Sequence, residues 1–306
     1  MRVLIHGPEN RQWREALHAR LPDAELLTTE HDGEQAADYL VVWKPPASLF
    51  AAQDRRLKAI LNLGAGVDAL LANPALPRDV PILKLRDAGM ATTMADYIHY
   101  GVLHFQRNFD RYLAQERSHA WQEQPLDAKP AWSIGVLGLG AIGSHVARHL
   151  AHLGYPVCGW SRSPRTLDNV SCHHGDAGLD AVLGKARILV NLLPGTAATQ
   201  GLLDAERLGA LPRGAVVINP GRGSTLDIDA LLAALDSGQL RGALLDVFPE
   251  EPLPQDSPLW DHPQVRITPH IAAPTPVAAA ADQIAAYIAQ LERGEAVEAV
   301  DVASGY

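Results

Sequence analysis

An arginine, a glutamate and a histidine each stand just past an apolar run of the kind that makes a buried strand. Arg222 follows the run 215–219 in Asn219-Pro220-Gly221-Arg222-Gly223, Glu251 follows 243–247 in Asp246-Val247-Phe248-Pro249-Glu250-Glu251, and His270 follows 265–268 in Thr268-Pro269-His270-Ile271. In a parallel sheet such positions share the carboxy-terminal edge, where ligands bind. Arginine carries a planar, permanently charged fork that matches a carboxylate or polarises a carbonyl. Histidine exchanges a proton near neutral pH. Glutamate beside it favours the charged imidazole and fixes its ring. Each residue alone also fits an ordinary role, such as a surface ion pair. Together they form the set needed to reduce a ketone beside a carboxylate: an anion holder, a proton donor and a group that orients the donor.

A hydride needs a carrier, and the stretch Ser133-Ile134-Gly135-Val136-Leu137-Gly138-Leu139-Gly140-Ala141-Ile142-Gly143 has the form of a carrier site. The run 133–137 reads as a strand, and 141–153 as a helix closed by Gly154. Gly138 allows the tight turn, Gly140 lets the backbone approach a pyrophosphate, and Gly143 lets the helix pack on the strand. The helix start, with Ala141 and Ile142, adds free N–H groups and the positive end of a dipole. The next strand, 156–160, runs into Ser161-Arg162-Ser163-Pro164-Arg165. A site for NAD places Asp or Glu here to hold the ribose hydroxyls, yet no acidic residue occurs from Gly138 until Asp168. Arginine and serine suit a 2′-phosphate that a carboxylate would repel. The loop therefore predicts NADP(H); its plain alternative is a solvated surface loop.

These groups need elements to position them. Beyond the glycines, strands are expected at 188–192, 215–219, 243–247 and 265–268, and a helix at 227–237 with an acidic cap and a stop at Gly238. With the two strands around the glycines this makes six, the number in a doubly wound dinucleotide domain. Upstream, a strand at 3–5, a helix at 9–21, a strand at 39–43 and a helix-to-strand passage over 56–62 predict a separate parallel sheet. Trp43 and the turn Ala65-Gly66-Val67 fall at its ligand edge, where exposed N–H groups bind a carboxylate. A tight loop is the simpler reading of that turn by itself. Thr93-Met94-Ala95-Asp96 has the form of a capping box, and Ile98, Val102, Phe105, Phe109 and Tyr112 then predict one long helix to about 115. The polar arm 116–131 is either a surface loop or a dimer contact.

Composition bounds the function. At 306 residues the chain has room for two domains. A formal charge of −9 without a dense basic run argues against nucleic acid or an anionic membrane as partner. Two cysteines, 158 and 172, with no CxxC indicate neither a disulfide framework nor a zinc knuckle. No apolar run approaches the length of a membrane span and the start lacks a signal peptide, so a cytoplasmic protein is expected. His145, His149 and His152 share a helical face, and Cys172-His173-His174 is a tandem cluster, but neither has ligand spacing with a carboxylate partner. No metal is expected.

The ordered set GLGAIG, NPGRGSTLD, DVFPEEPLP and ITPHIAA, with LNLGAGVDALL before it, resembles the D-isomer-specific 2-hydroxyacid dehydrogenases over nearly the whole chain. The resemblance implies an α/β fold of two doubly wound parallel-sheet domains, a flavodoxin-like substrate domain and a Rossmann dinucleotide-binding domain. It implies a discontinuous substrate domain of residues 1–92 and 275–306 and an NADP-binding domain of 93–274, with the crossings acting as a hinge. Arg222, Glu251 and His270 are then catalytic. Trp43, Ala65, Gly66, Val67, Arg222 and His270 contact substrate. Cofactor contacts are expected from Gly138, Gly140, Ala141, Ile142, Gly143, Ser161, Arg162, Ser163, Leu193, Pro194, Pro220 and Asp246. The implied reaction is NADPH-dependent reduction of glyoxylate and hydroxypyruvate by a homodimer, with Trp43, Met90 and Trp121 as candidates for shaping the pocket. Reduction of a bulkier 2-oxo acid such as phenylpyruvate, or cofactor sensing without catalysis, are the alternatives. Two departures from the family pattern, Pro220-Gly221 before the arginine and Ala272-Ala273-Pro274 after the histidine, bear on fine cofactor contacts and pocket shape.

Overall fold

A computed structural model describes residues 1–303 and 305 of the chain. Ser304 and Tyr306, which close the expected 275–306 segment, lie outside the described residues. The chain divides into two compact units, Met1–Met90 with Thr275–Tyr306, and Ala91–Pro274.

The first unit runs β1 (Arg2–His6), α1 (Asn10–His18), β2 (Glu25–Thr28), α2 (Thr29–Asp32), β3 (Tyr39–Val42), α3 (Ala47–Ala51), β4 (Ala59–Asn62), α4 (Asp68–Leu71) and β5 (Ile82–Lys84). Its strands pair in parallel in the order β2-β1-β3-β4-β5, the flavodoxin-like order. β3 and β4 are buried at every residue, which explains their uncharged runs. Residues 56–58, expected to begin a helix, form no helix, and the helical turn instead lies earlier, in α3. β2 and β5 carried no clear pattern because both are short and only partly or briefly apolar.

The second unit contains α5 (Met90–Gln106, its first residue in the other unit), α6 (Phe109–Arg117), β6 (Ile134–Leu137), α7 (Ala141–His152), β7 (Val157–Ser161), β8 (Ser171–His174), α8 (Gly175–Leu183), β9 (Ile188–Asn191), α9 (Ala205–Gly209), β10 (Ala215–Asn219), α10 (Ile228–Asp236), β11 (Leu240–Leu245) and β12 (Val265–Ile267). Its seven strands are parallel in the order β12-β11-β10-β9-β6-β7-β8. The chain turns back between β6 and β9, the switch point at which such sheets bind nucleotides. The additional strand is β8, an edge strand formed by the Ser171-Cys172-His173-His174 stretch, which has no buried residue and carries no strand signal.

The single long helix expected from Thr93 is two helices. Thr93 lies inside α5, which begins at Met90. The break falls at Asn108, which takes the left-handed conformation (φ 59°) and is buried. Its amide donates to the Pro125 carbonyl at 2.8 Å and accepts from Arg241 at 2.7 Å. Asparagine tolerates this conformation better than most residues, and its partners hold it there. Phe109 consequently leaves the apolar stripe and is exposed. After the second unit, α11 (Val277–Glu292) buries Ala281, Ile284 and Ile288 and packs against α1 within the first unit.

Candidate active site

β10, β11 and β12 are neighbours, so the segments that follow them emerge side by side. His270 and Glu251 meet there, with imidazole Nδ1 2.8 Å from carboxylate Oε2. Oε1 of the same carboxylate accepts the Phe248 N–H at 3.1 Å, which anchors Glu251 to its own loop. With Nδ1 engaged, Nε2 is the ring atom left for a substrate, and 43 % of the imidazole side chain is exposed.

Arg222 stands on a buried amide platform. Asn219 Nδ2 and the Thr225 hydroxyl donate to the Arg222 carbonyl at 3.2 and 2.6 Å. Asn191 Nδ2 donates in turn to Asn219 Oδ1 and to Thr225 Oγ1 at 3.0 and 2.6 Å. The guanidinium donates to the Gly221 carbonyl at 2.7 Å. Pro220 is buried in this turn. A Cβ on Gly223 would lie 1.9 Å from the carbonyl carbon of Phe248, so glycine is what lets the Arg222 turn pack on the Glu251 loop.

At the switch point the glycines divide the work as their spacing predicts. Gly138 has φ 97°, and a Cβ on Gly143 would lie 1.8 Å from the Gly138 carbonyl oxygen. Around Gly140 nothing lies within 4 Å of a Cβ, leaving open space over the start of α7. Among the described residues, the N–H groups of Gly140, Ala141 and Ile142 meet no protein acceptor. Open space over unpaired N–H groups fits a pyrophosphate. Ser161 is buried and donates to the Ser163 carbonyl at 2.8 Å, folding the loop so that Arg162 and Ser163 are exposed. Leu193 packs into the core, and the Pro194 carbonyl accepts the Thr199 hydroxyl at 2.5 Å; both shape the loop after β9. Asp246, expected at the cofactor, is fully buried, with its carboxylate turned to the loop that carries His270.

In the first unit, the turn after β4 is held from beneath. The buried Asn62 donates to the carbonyls of Gly64 and Gly66 at 3.0 and 2.8 Å. Among the described residues, no protein acceptor meets the N–H groups of Ala65, Gly66 or Val67. Trp43 lies against this turn: a Cβ on Gly64 would come within 2.5 Å of its ring. The Lys44 ammonium lies 6.0 Å from the indole centroid. Met90 is buried and accepts a contact from the Thr275 hydroxyl, whereas Trp121 is fully exposed.

Asn62, Asn191, Asn219, Thr225, Thr268 and Tyr97 shape these sites and were not singled out from the sequence. One signal was available. Each of the three asparagines is the last residue of an otherwise apolar strand. Of the helix-face histidines, His145 and His152 are exposed, while His149 sits 5.8 Å, ring to ring, from His99. Burial holds His99 below the usual histidine range. Among the described residues, no three His, Cys, Asp or Glu side chains are grouped to hold a metal ion.

Two parallel sheets, a glycine turn at a switch point and a paired His–Glu on the same sheet edge as an arginine describe a nucleotide-binding oxidoreductase scaffold. Residues 100–272 match the family model described as D-isomer specific 2-hydroxyacid dehydrogenase, NAD binding domain. The chain belongs to the D-isomer specific 2-hydroxyacid dehydrogenase family. It is 46 % identical over 300 residues, 96 % of each chain, to glyoxylate/hydroxypyruvate reductase A of Salmonella paratyphi B. A D-isomer specific 2-hydroxyacid dehydrogenase of Xanthobacter autotrophicus Py2, solved with NADPH and MES, is 40 % identical and covers 99 % of both chains at a TM-score of 0.94. The NADPH-dependent glyoxylate/hydroxypyruvate reductase of Sinorhizobium meliloti, solved with NADP and sulfate, is 36 % identical. It covers 100 % of this chain and 99 % of its own at a TM-score of 0.93. Among the described residues, no helix is long and apolar enough to cross a membrane.

Proposed function

We propose that this chain reduces glyoxylate to glycolate and hydroxypyruvate to D-glycerate with NADPH. The observation that carries the reading is the His270–Glu251 pair, held at 2.8 Å on the same sheet edge as Arg222. When bound, the reduced nicotinamide supplies the hydride to the substrate C2. The chain's own groups do the rest. N–H groups around Gly66, with Ala65 and Val67, hold the substrate carboxylate, and Trp43 walls that turn. Arg222 binds the 2-oxo acid and polarises its carbonyl. His270 Nε2 gives its proton to the oxygen as the alcohol forms, and Glu251 holds the ring so that Nε2 faces the substrate. Gly138 to Gly143 would hold the pyrophosphate, and Ser161, Arg162 and Ser163 the 2′-phosphate. The names of the full-length relatives support the substrate pair, and the NADP-bound relatives support the cofactor. The same reading expects a cytoplasmic homodimer, supported by exposed apolar residues at Tyr100, Phe109, Leu113, Trp121 and Leu126.

The test is initial rates of NADPH and NADH oxidation with glyoxylate, hydroxypyruvate, pyruvate and phenylpyruvate. NADPH-dependent turnover of the first two is expected. Preference for phenylpyruvate would overturn the substrate class and leave the mechanism. Cofactor binding without turnover of any acid would overturn catalysis.

A further inference from the structure

His270 is held in a backbone conformation that few residues adopt. Its φ is 56°, in the left-handed region, which only a few per cent of non-glycine residues enter, asparagine, aspartate and histidine most often, and which costs a side chain some strain. Such a conformation persists only when its surroundings over-determine it. The surroundings here converge on one buried carboxylate. The His270 N–H donates to the Asp246 carbonyl at 2.9 Å. The next two N–H groups donate to the Asp246 side chain, Ile271 to Oδ1 and Ala272 to Oδ2, each at 2.8 Å. The Thr268 hydroxyl donates to Oδ1 at 2.6 Å. Asp246 has no solvent exposure, so these bonds are its solvation.

The chain of donors has one further link. Thr268 spends its hydroxyl proton on Asp246, so its oxygen is an acceptor for the Tyr97 hydroxyl 2.6 Å away. Tyr97 lies on α5, within the second unit. Burial pushes its phenol well above the ordinary tyrosine range, which keeps it a proton donor. The direction is therefore fixed: Tyr97 donates to Thr268, Thr268 to Asp246, and Asp246 accepts from the loop on both sides of His270.

We propose that Tyr97 and Thr268 are positioning residues for the proton donor: they orient the Asp246 carboxylate, and through it hold His270 in its left-handed conformation with the ring against Glu251. Neither touches the reacting atoms. The inference rests on the proposed reduction and deepens it, by tying the precision of proton delivery to a hydroxyl chain that begins on a helix.

The experiment uses the full chain with Thr268→Val, Thr268→Ser and Tyr97→Phe beside the wild type. Two quantities are read: kcat and KM with NADPH and glyoxylate, and hydrogen exchange at the amides of Ile271 and Ala272 in the absence of cofactor. Thr268→Val should lower kcat about ten-fold, the scale of a small misplacement of a catalytic group, with both KM values unchanged and faster exchange at the two amides. Thr268→Ser should restore both. Tyr97→Phe should change both in the same direction by less, and it removes a single oxygen, so it keeps the test open should the valine variant fail to fold. Unchanged kcat and exchange in the folded variants overturn the proposal. So does a serine variant no better than the valine one, since that assigns the effect to the methyl group's packing. An inactive wild type with amides that still respond would overturn the proposed reaction while leaving the hydroxyl chain standing.

Discussion

The two sheets carry their chemistry in different currencies. At the carboxy-terminal edge of the five-stranded sheet, the turn after β4 offers backbone N–H groups, and one buried asparagine holds its carbonyls inward. At the same edge of the seven-stranded sheet, β10, β11 and β12 are followed by an arginine, a glutamate and a histidine. Backbone donors bind an anion equally well before and after reaction. A proton donor aimed at a developing alkoxide acts chiefly in the transition state. On the proposed function, substitutions at the first edge should raise KM, and those at the second should lower kcat.

The largest effect is expected at His270. His270→Gln keeps a polar side chain of similar reach but cannot deliver a proton, so kcat should fall about 100- to 10,000-fold. Stopped-flow and steady-state rates with NADPH check this, with cofactor fluorescence reporting that binding is retained. Near-wild-type turnover would remove His270 as the donor and erase the contrast between the edges. Gly143→Ala comes next and acts by sterics. Its Cβ would lie 1.8 Å from a backbone oxygen, so the turn or helix must shift. Overpacking of this kind costs about 1–3 kcal/mol, read as a lower urea midpoint together with weakened NADPH binding.

The difference between the edges also explains what could be read beforehand. Side-chain chemistry has a signature: Arg222, Glu251 and His270 each follow an apolar run and together make one reactive set, and the glycines of 138–143 keep a spacing that few other turns need. The inner strands of both sheets are likewise legible from uncharged apolar runs set between helical stripes, whereas β2, β5 and β8 are not. Backbone chemistry leaves less trace. By type and spacing the turn 64–67 is any glycine loop; what sets it apart is Asn62 beneath it, which donates to the Gly64 and Gly66 carbonyls. Asp246 is a carboxylate beside a strand end, and nothing in its type tells whether it faces a cofactor or the loop above it. The break at Asn108 was hidden because the apolar spacing continues past it; only the partners Pro125 and Arg241, distant in sequence, decide the backbone there. β8 was missed because an exposed edge strand needs no apolar alternation.

A smaller effect should separate cofactor choice from catalysis. Arg162 is exposed on the loop after β7, on the expected path of the 2′-phosphate. Arg162→Gln removes a charge-assisted contact and should raise the KM for NADPH about ten-fold, while leaving NADH kinetics and kcat in place. Equal effects on both cofactors would make this loop a structural element of the second unit and not a selector.

The smallest expected effect is the sharpest test of the contrast. Asn62 is buried at the end of β4 and spends its amide on two carbonyls of the turn, those of Gly64 and Gly66. Those bonds turn the carbonyls inward, and among the described residues no protein acceptor meets the N–H groups between them. Asn62→Ala removes the hold without adding bulk. A typical hydrogen bond contributes about 1 kcal/mol, so the KM for glyoxylate should rise about five-fold with kcat nearly constant. Asn62→Asp is the stricter variant, because a carboxylate of the same shape accepts and cannot donate; it would face two carbonyl oxygens and should loosen the turn further. Should either variant lower kcat with KM unchanged, the turn would be acting on the transition state, and the division of labour between a binding edge and a reacting edge would be wrong.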